Sequence, residues 1–223
     1  MSERVRLKSA DGFELNAYLA RPTGKPKGAM VVVQEIFGVN SHIRSVGDLY
    51  AAEGYLTIAP EMFDRVQPDF EVGYGPDDAQ NGFAIVQKLS RENALLDLSA
   101  AIAFVASAGK VGMVGYCWGG TMAYASACQL EGLAAAVGYY GGGVIAMKDQ
   151  KPKIPTLLHF GELDKHIPVE GVNQVIAAQP TVEIHLYHAD HGFNCDQRAS
   201  YNKPSADLAR ERTFAFFNKH LAD

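Results

Sequence analysis

The sequence predicts a single α/β domain over residues 1–223, with a mostly parallel central sheet of about seven or eight strands and helices on both faces. Three observations predict it. Short β-branched or apolar runs alternate with longer helical patterns along the whole chain, as they do where each parallel strand is followed by a covering crossover. Runs such as Ala29–Gln34 (AMVVVQ) are continuously apolar, as strands buried on both faces must be. No repeat, low-complexity tract or linker divides the chain, and its length suits one domain that buries roughly 70–75% of its unfolded surface.

Taken in order, Val5–Lys8 and Glu14–Ala20 flank the turn-prone Asp11–Gly12 pair and predict an opening antiparallel hairpin. Ala29–Gln34 is a buried strand, residues 42–53 a helix closed by Gly54, and Leu56–Ala59 a strand stopped by Pro60. Residues 60–77 hold proline, glycine and aspartate without periodicity, a long connection of the kind that forms active-site walls. Helical patterns follow at 78–89 and 91–107, the second with Leu95, Leu98, Ile102 and Val105 on one face. The remainder reads as strand Val111–Gly115, helix 118–129, strands Ala134–Tyr139 and Thr156–Phe160, helix 169–178, strand Val182–Tyr187 and helix 205–221.

A net charge of −5 argues against a nucleic-acid partner, which requires a basic face. The N-terminus MSERVRLKSADG is polar where a secretory signal would be apolar, and no run approaches the roughly 20 apolar residues that span a bilayer. Three cysteines without a CxxC pair suit a reducing compartment, so a cytoplasmic location is expected, as a monomer or small homo-oligomer.

The chemistry concentrates in Val111-Gly-Met-Val-Gly115-Tyr-Cys117-Trp-Gly119-Gly120. This fits the nucleophile elbow G-x-S-x-G with cysteine in the serine place. A nucleophile on a tight strand-to-helix turn needs small neighbours two residues to either side, and Gly115 and Gly119 supply them. The turn also sets Cys117 at a helix N-terminus, which favours thiolate. A dinucleotide loop would need G-x-G-x-x-G at the first strand, whereas these glycines run G-x-x-G-x-x-x-G-G in mid-chain.

In the α/β-hydrolase fold that such an elbow predicts, an acid and then a histidine follow the nucleophile. Asp164 and His191 come directly after apolar strands, on the rim where Cys117 is expected. An imidazole there accepts the thiol proton, and a carboxylate orients it. Glu162 and His166 share the Asp164 loop and are the nearest rivals; His159, His185 and His188 read as packed or surface residues. The Trp118 N–H and the Ile36 N–H, the latter from the loop after the first central strand, are the expected oxyanion donors. Glu35 ends a buried run, where an unpaired charge is costly. It is read as a solvated loop carboxylate, as paired with an arginine such as Arg44, or as a group touching the thiol or substrate. Phe37, Tyr74, Trp118, Tyr140 and Phe193 are the candidate pocket aromatics.

Together, Gln34–Asn40, Val114–Gly120, Val137–Gly141, Gly161–Asp164 and Ala189–Phe193 resemble, in order and spacing, the dienelactone hydrolases (carboxymethylenebutenolidases) over roughly residues 5–221. The resemblance implies a Cys117–Asp164–His191 triad and a Glu35 that holds the resting thiol until substrate displaces it. It further implies hydrolysis of an enol-lactone in aromatic degradation, without metal or cofactor. Family members are expected to grip a substrate carboxylate with arginines before the long helices and just after the histidine. Here Gly73–Asp78 and Gly192–Asp196 contain none; Arg198 is nearest, with Arg65 and Arg91 further off. The expected partner is therefore a small ester or lactone, a dienelactone first among them. Two other classes compete: a non-catalytic protein on the same scaffold, and a thiol redox protein using Cys195 as resolving cysteine.

Overall fold

The computed structural model describes residues 2–222. Its eight strands form one sheet in the order β1-β2-β4-β3-β5-β6-β7-β8, made of β1 (Ser2–Lys8), β2 (Glu14–Ala20), β3 (Ala29–Val33), β4 (Leu56–Pro60), β5 (Val111–Tyr116), β6 (Leu133–Tyr139), β7 (Thr156–Gly161) and β8 (Glu183–Tyr187). The first two strands form the expected hairpin, with Leu7 opposite Leu15, and β2 also runs antiparallel to β4. All pairings from β4 through β8 are parallel. Every residue of β3, β5 and β7 is buried, which is why those runs carry no polar alternation.

Helices α1 (Ser41–Ala52) and α6 (Lys203–Leu221) share one face, where Tyr50 packs on Phe214 and Phe217. Helices α3 (Arg91–Val105) and α4 (Trp118–Gln129) pack together against the other, α3 through Leu95, Leu98, Ile102 and Val105. Local signals set the ends. Asn40 caps α1 by accepting the Ile43 N–H at 3.2 Å, and Ser90 caps α3 by accepting that of Asn93 at 3.2 Å. Helix α2 (Pro76–Val86) begins two residues before the expected start, because Pro76 suits its first position and Asp78 accepts the Gly75 N–H at 2.9 Å. Helix α5 (Val169–Ala178) lies between β7 and β8.

The register brings the carboxyl ends of the parallel strands to one edge: Val33 lies beside Gly115, Gly115 beside Gly138, Tyr139 beside His159, and Gly161 beside Tyr187. The loops after β3, β5, β6, β7 and β8 therefore meet on a common rim.

The connection after β4 differs from expectation. Instead of walling the rim it backs the loop after β3: the Val72 N–H donates to the Phe37 carbonyl at 3.1 Å, and Asn40 donates to the Val72 carbonyl at 3.3 Å. Arg65 locks the connection to the body, bonding to the buried Asp97 of α3 and to Asp11 of the hairpin turn, with its guanidinium 4.3 Å from the Phe13 ring centroid. Ser9 also donates to Asp97.

Candidate active site

Cys117 stands between β5 and α4 with φ 55° and ψ −117°, a strained conformation for a non-glycine residue. Its N–H donates to the Tyr139 carbonyl at 3.0 Å, which fixes the bend to β6. The packing admits no side chain beside it. A Cβ on Gly115 would lie 1.9 Å from the Gly119 carbonyl oxygen, and one on Gly119 2.3 Å from that of Val33. The glycines of the motif are thus required by the close approach of α4 to β3 and β5.

The Cys117 Sγ lies 3.1 Å from His191 Nε2, and His191 Nδ1 lies 2.6 Å from Asp164 Oδ2. Asp164 is buried, and its other oxygen accepts the N–H groups of His166 at 2.8 Å and Ile167 at 3.2 Å. These bonds hold the carboxylate before the imidazole is considered. Burial opposes a charge on His191, but the hydrogen bond to Asp164 and the adjacent Cys117 outweigh it and raise its pKa to about 10. Burial likewise opposes ionisation of Asp164, yet the His191 contact and the amide donors leave its pKa below the usual value. The arrangement favours an imidazolium at His191, paired with the Asp164 carboxylate. Glu162 takes no part in it and lies 3.5 Å from His188 at the surface.

Glu35 has 0% of its surface exposed and is fully engaged. Arg198 Nη1 donates to Oε1 at 3.0 Å and the Tyr74 hydroxyl donates to Oε2 at 3.0 Å. The expected contact with the resting thiol is not made here, since the Cys117 sulfur faces His191. The partner is also not Arg44, which binds Glu71 and the Val39 carbonyl. Arg198 reaches Glu35 past Gly192, where a Cβ would lie 2.5 Å from the guanidinium. Glu35, His42 and Cys195 are all buried, with ligand-type atoms within 4.8 Å of one another. The Arg198 cation already neutralises the carboxylate of that group.

A cleft of about 440 Å³ opens over Cys117 and His191, with Ile36, Phe37, Trp118 and Tyr140 in its wall. Ile36 N–H and Trp118 N–H, the latter at the first position of α4, make no main-chain hydrogen bond among the described residues. Tyr140 (φ 38°) has its ring 5.1 Å from that of His191, and its buried hydroxyl has no partner among the described residues. Two expected pocket aromatics lie elsewhere. Phe193 is fully buried behind the cleft against Tyr140 and Tyr187, and Tyr74 backs Phe37 at 4.6 Å while holding Glu35.

The sequence model of the dienelactone hydrolase family matches residues 15–221. The chain belongs to the dienelactone hydrolase family. A Synechocystis sp. protein assigned as a carboxymethylenebutenolidase is 37% identical over 94% of this chain and 93% of its own. The carboxymethylenebutenolidase of Pseudomonas putida is 31% identical over 97% and 96%. The crystal structure of a Klebsiella pneumoniae protein assigned as a dienelactone hydrolase superposes with a TM-score of 0.85 at 32% identity, covering 97% of this chain and 98% of that one. The Pyrococcus furiosus esterase Pf2001, at 15% identity and a TM-score of 0.74 over 100% and 93% of the two chains, shares the fold.

This dienelactone hydrolase family member closes its cleft with residues that motif reading passed over. Helix α2 supplies Ala79, Phe83 and Val86 to the wall, and the loop after β7 supplies Ile167 beside His166, the rival already weighed for the site. Helix α2 buries Gly82 and Ile85; Gly82 sits so close to the body that a Cβ there would lie 2.1 Å from the Ile36 carbonyl oxygen. A helical period marks which residues share a face, and Phe83 looks like an ordinary member of one. The only signal was the failure of an amphipathic helix to bury its phenylalanine, which sequence cannot display. His159, by contrast, is a packed residue as expected, bonded to the Tyr187 and Thr213 hydroxyls.

Proposed function

We propose that this chain hydrolyses an enol-lactone or small ester through an acyl-thioester on Cys117. Membership of the dienelactone hydrolase family makes it a hydrolase of lactone or ester bonds. The observation that carries the finer reading is the continuous Cys117–His191–Asp164 hydrogen-bonded line opening onto the cleft. His191 Nε2 takes the thiol proton, and the sulfur attacks the carbonyl carbon of the substrate. The resulting oxyanion is held by the Ile36 and Trp118 amides, each contributing about 3 kcal/mol to transition-state stabilisation. Collapse breaks the C–O bond, and the leaving oxygen takes the proton from His191. His191 next deprotonates a water that attacks the thioester, and the released thiol closes the cycle. Asp164 keeps the imidazole in the required tautomer throughout. Each of these steps is written with protein groups and water alone. No described helix is long and apolar enough to cross a membrane, and its three free thiols suit the reducing cytoplasm.

The test is Cys117→Ala. It is expected to abolish turnover of an activated ester with the circular dichroism spectrum unchanged, while the native chain quenched during turnover carries the acyl group on the peptide holding Cys117. Activity above a few per cent of native, or an acyl group on another residue, would mean a different nucleophile.

A further inference from the structure

Resting on that hydrolytic reading, we propose that the substrate is an uncharged, apolar ester or lactone, and that helix α2 selects it. The wall contributed by α2 is Ala79, Phe83 and Val86, and Trp118, Ile36 and Ile167 add further apolar surface. Phe83 leaves 55% of its surface exposed. A large apolar side chain kept open at the mouth of a cavity gains from a ligand that covers it.

The charges in the cleft lead to the same conclusion. Arg198 is the one guanidinium in the wall among the described residues, and no lysine joins it. It is already committed to Glu35, which has no exposed surface and no other cationic partner among the described residues. A substrate carboxylate that drew Arg198 away would leave Glu35 buried with only the Tyr74 hydroxyl, a heavy penalty for an ionised group. One that left Arg198 in place would lose its hydration against Phe83 and Val86 without a free guanidinium or ammonium partner in the wall. The imidazole of His191 is occupied by Asp164 and Cys117, which leaves His166, 5.9 Å from it, as the one other basic side chain of the wall among the described residues. Uncharged apolar groups meet neither cost. Each added methylene that stays against the wall should raise kcat/KM about threefold to fourfold.

The experiment compares two p-nitrophenyl esters of equal chain length, the hexanoate and the half-ester of adipate, which differ by a terminal carboxylate. Rates above the uncatalysed background are taken for the native chain, Cys117→Ala and Phe83→Arg. The exposed position of Phe83 allows the last variant to fold, and the native comparison stands without it. The native chain should favour the hexanoate by about tenfold or more in kcat/KM. Phe83→Arg should move that ratio about tenfold toward the adipate half-ester, an effect that fades with added salt. If the native chain cleaves the adipate half-ester as well as the hexanoate and Cys117→Ala cleaves neither, the inference fails while the hydrolytic reading survives. If neither ester is cleaved by the native chain, or Cys117→Ala cleaves both, the hydrolytic reading fails first and the inference with it. A native preference for hexanoate that Phe83→Arg leaves unchanged would overturn the role given to α2.

Discussion

At Glu35 a carboxylate without exposed surface is held by one guanidinium and one phenol. Removing one partner of such a pair costs more than the pair contributes, because the remaining charge is left uncompensated. Arg198→Met is therefore expected to destabilise the fold by about 3 kcal/mol, and Glu35→Gln in the same chain should recover much of that loss. Urea unfolding of the two variants checks both parts; a single variant as stable as the native chain would refute the pairing. At His191 the folded pKa of about 10 lies above the ordinary value of 6.5. The contribution of this group to stability is then complete below about pH 6.5 and is lost as the pH rises through about 10. The advantage of the native chain over His191→Gln should shrink over that interval, and an advantage that grew would have the wrong sign. The same residues show what a sequence can display. Cys117, Asp164 and His191 each follow a recognisable strand and turn, so local pattern sufficed to name them. The Arg198–Glu35 pair joins residues far apart in the chain with no motif between them, and Phe193 shares the His191 motif while pointing into the core.

Among elements, the elbow and the wall helix are opposite cases. The elbow was legible because its geometry admits little besides glycine. Gly119→Ala would drive a methyl into the Val33 and Gln34 carbonyls at 2.3 and 2.4 Å, and it is expected to cost about 3 kcal/mol or more by forcing α4 off the sheet. Gly24→Ala is the control: it has a positive φ but open space around its Cβ, so about 1 kcal/mol is expected from backbone strain alone. Equal melting temperatures for the two variants would show that close packing is not what the motif protects. The parallel strands were legible because burial on both faces leaves an uninterrupted apolar run. The role of residues 60–77 was not, because an aperiodic segment carries no mark of which surface it covers; Arg65, Asp97 and Asp11 decide that together.

Over the whole molecule, the three thiols differ in surroundings: Cys117 and Cys128 are half-buried and Cys195 is buried. Burial pushes Cys128 and Cys195 up to about 11, whereas Cys117 faces the cleft beside a cationic imidazole. A neutral thiol reagent at pH 7 should label Cys117 first, and Cys195 only as fast as the fold opens, so its rate should follow urea concentration. Prompt labelling of Cys195 would contradict the packing described. The sheet and its two helical layers behave as one frame, against which α2 rests through Gly82 and Ile85. Gly82 bears directly on the carbonyl of Ile36, whose own N–H is the proposed seat of the developing negative charge. A bulky guest that levers the wall outward thus tugs on the cradle of the reaction, and poor fit will be felt as slow chemistry as well as weak capture.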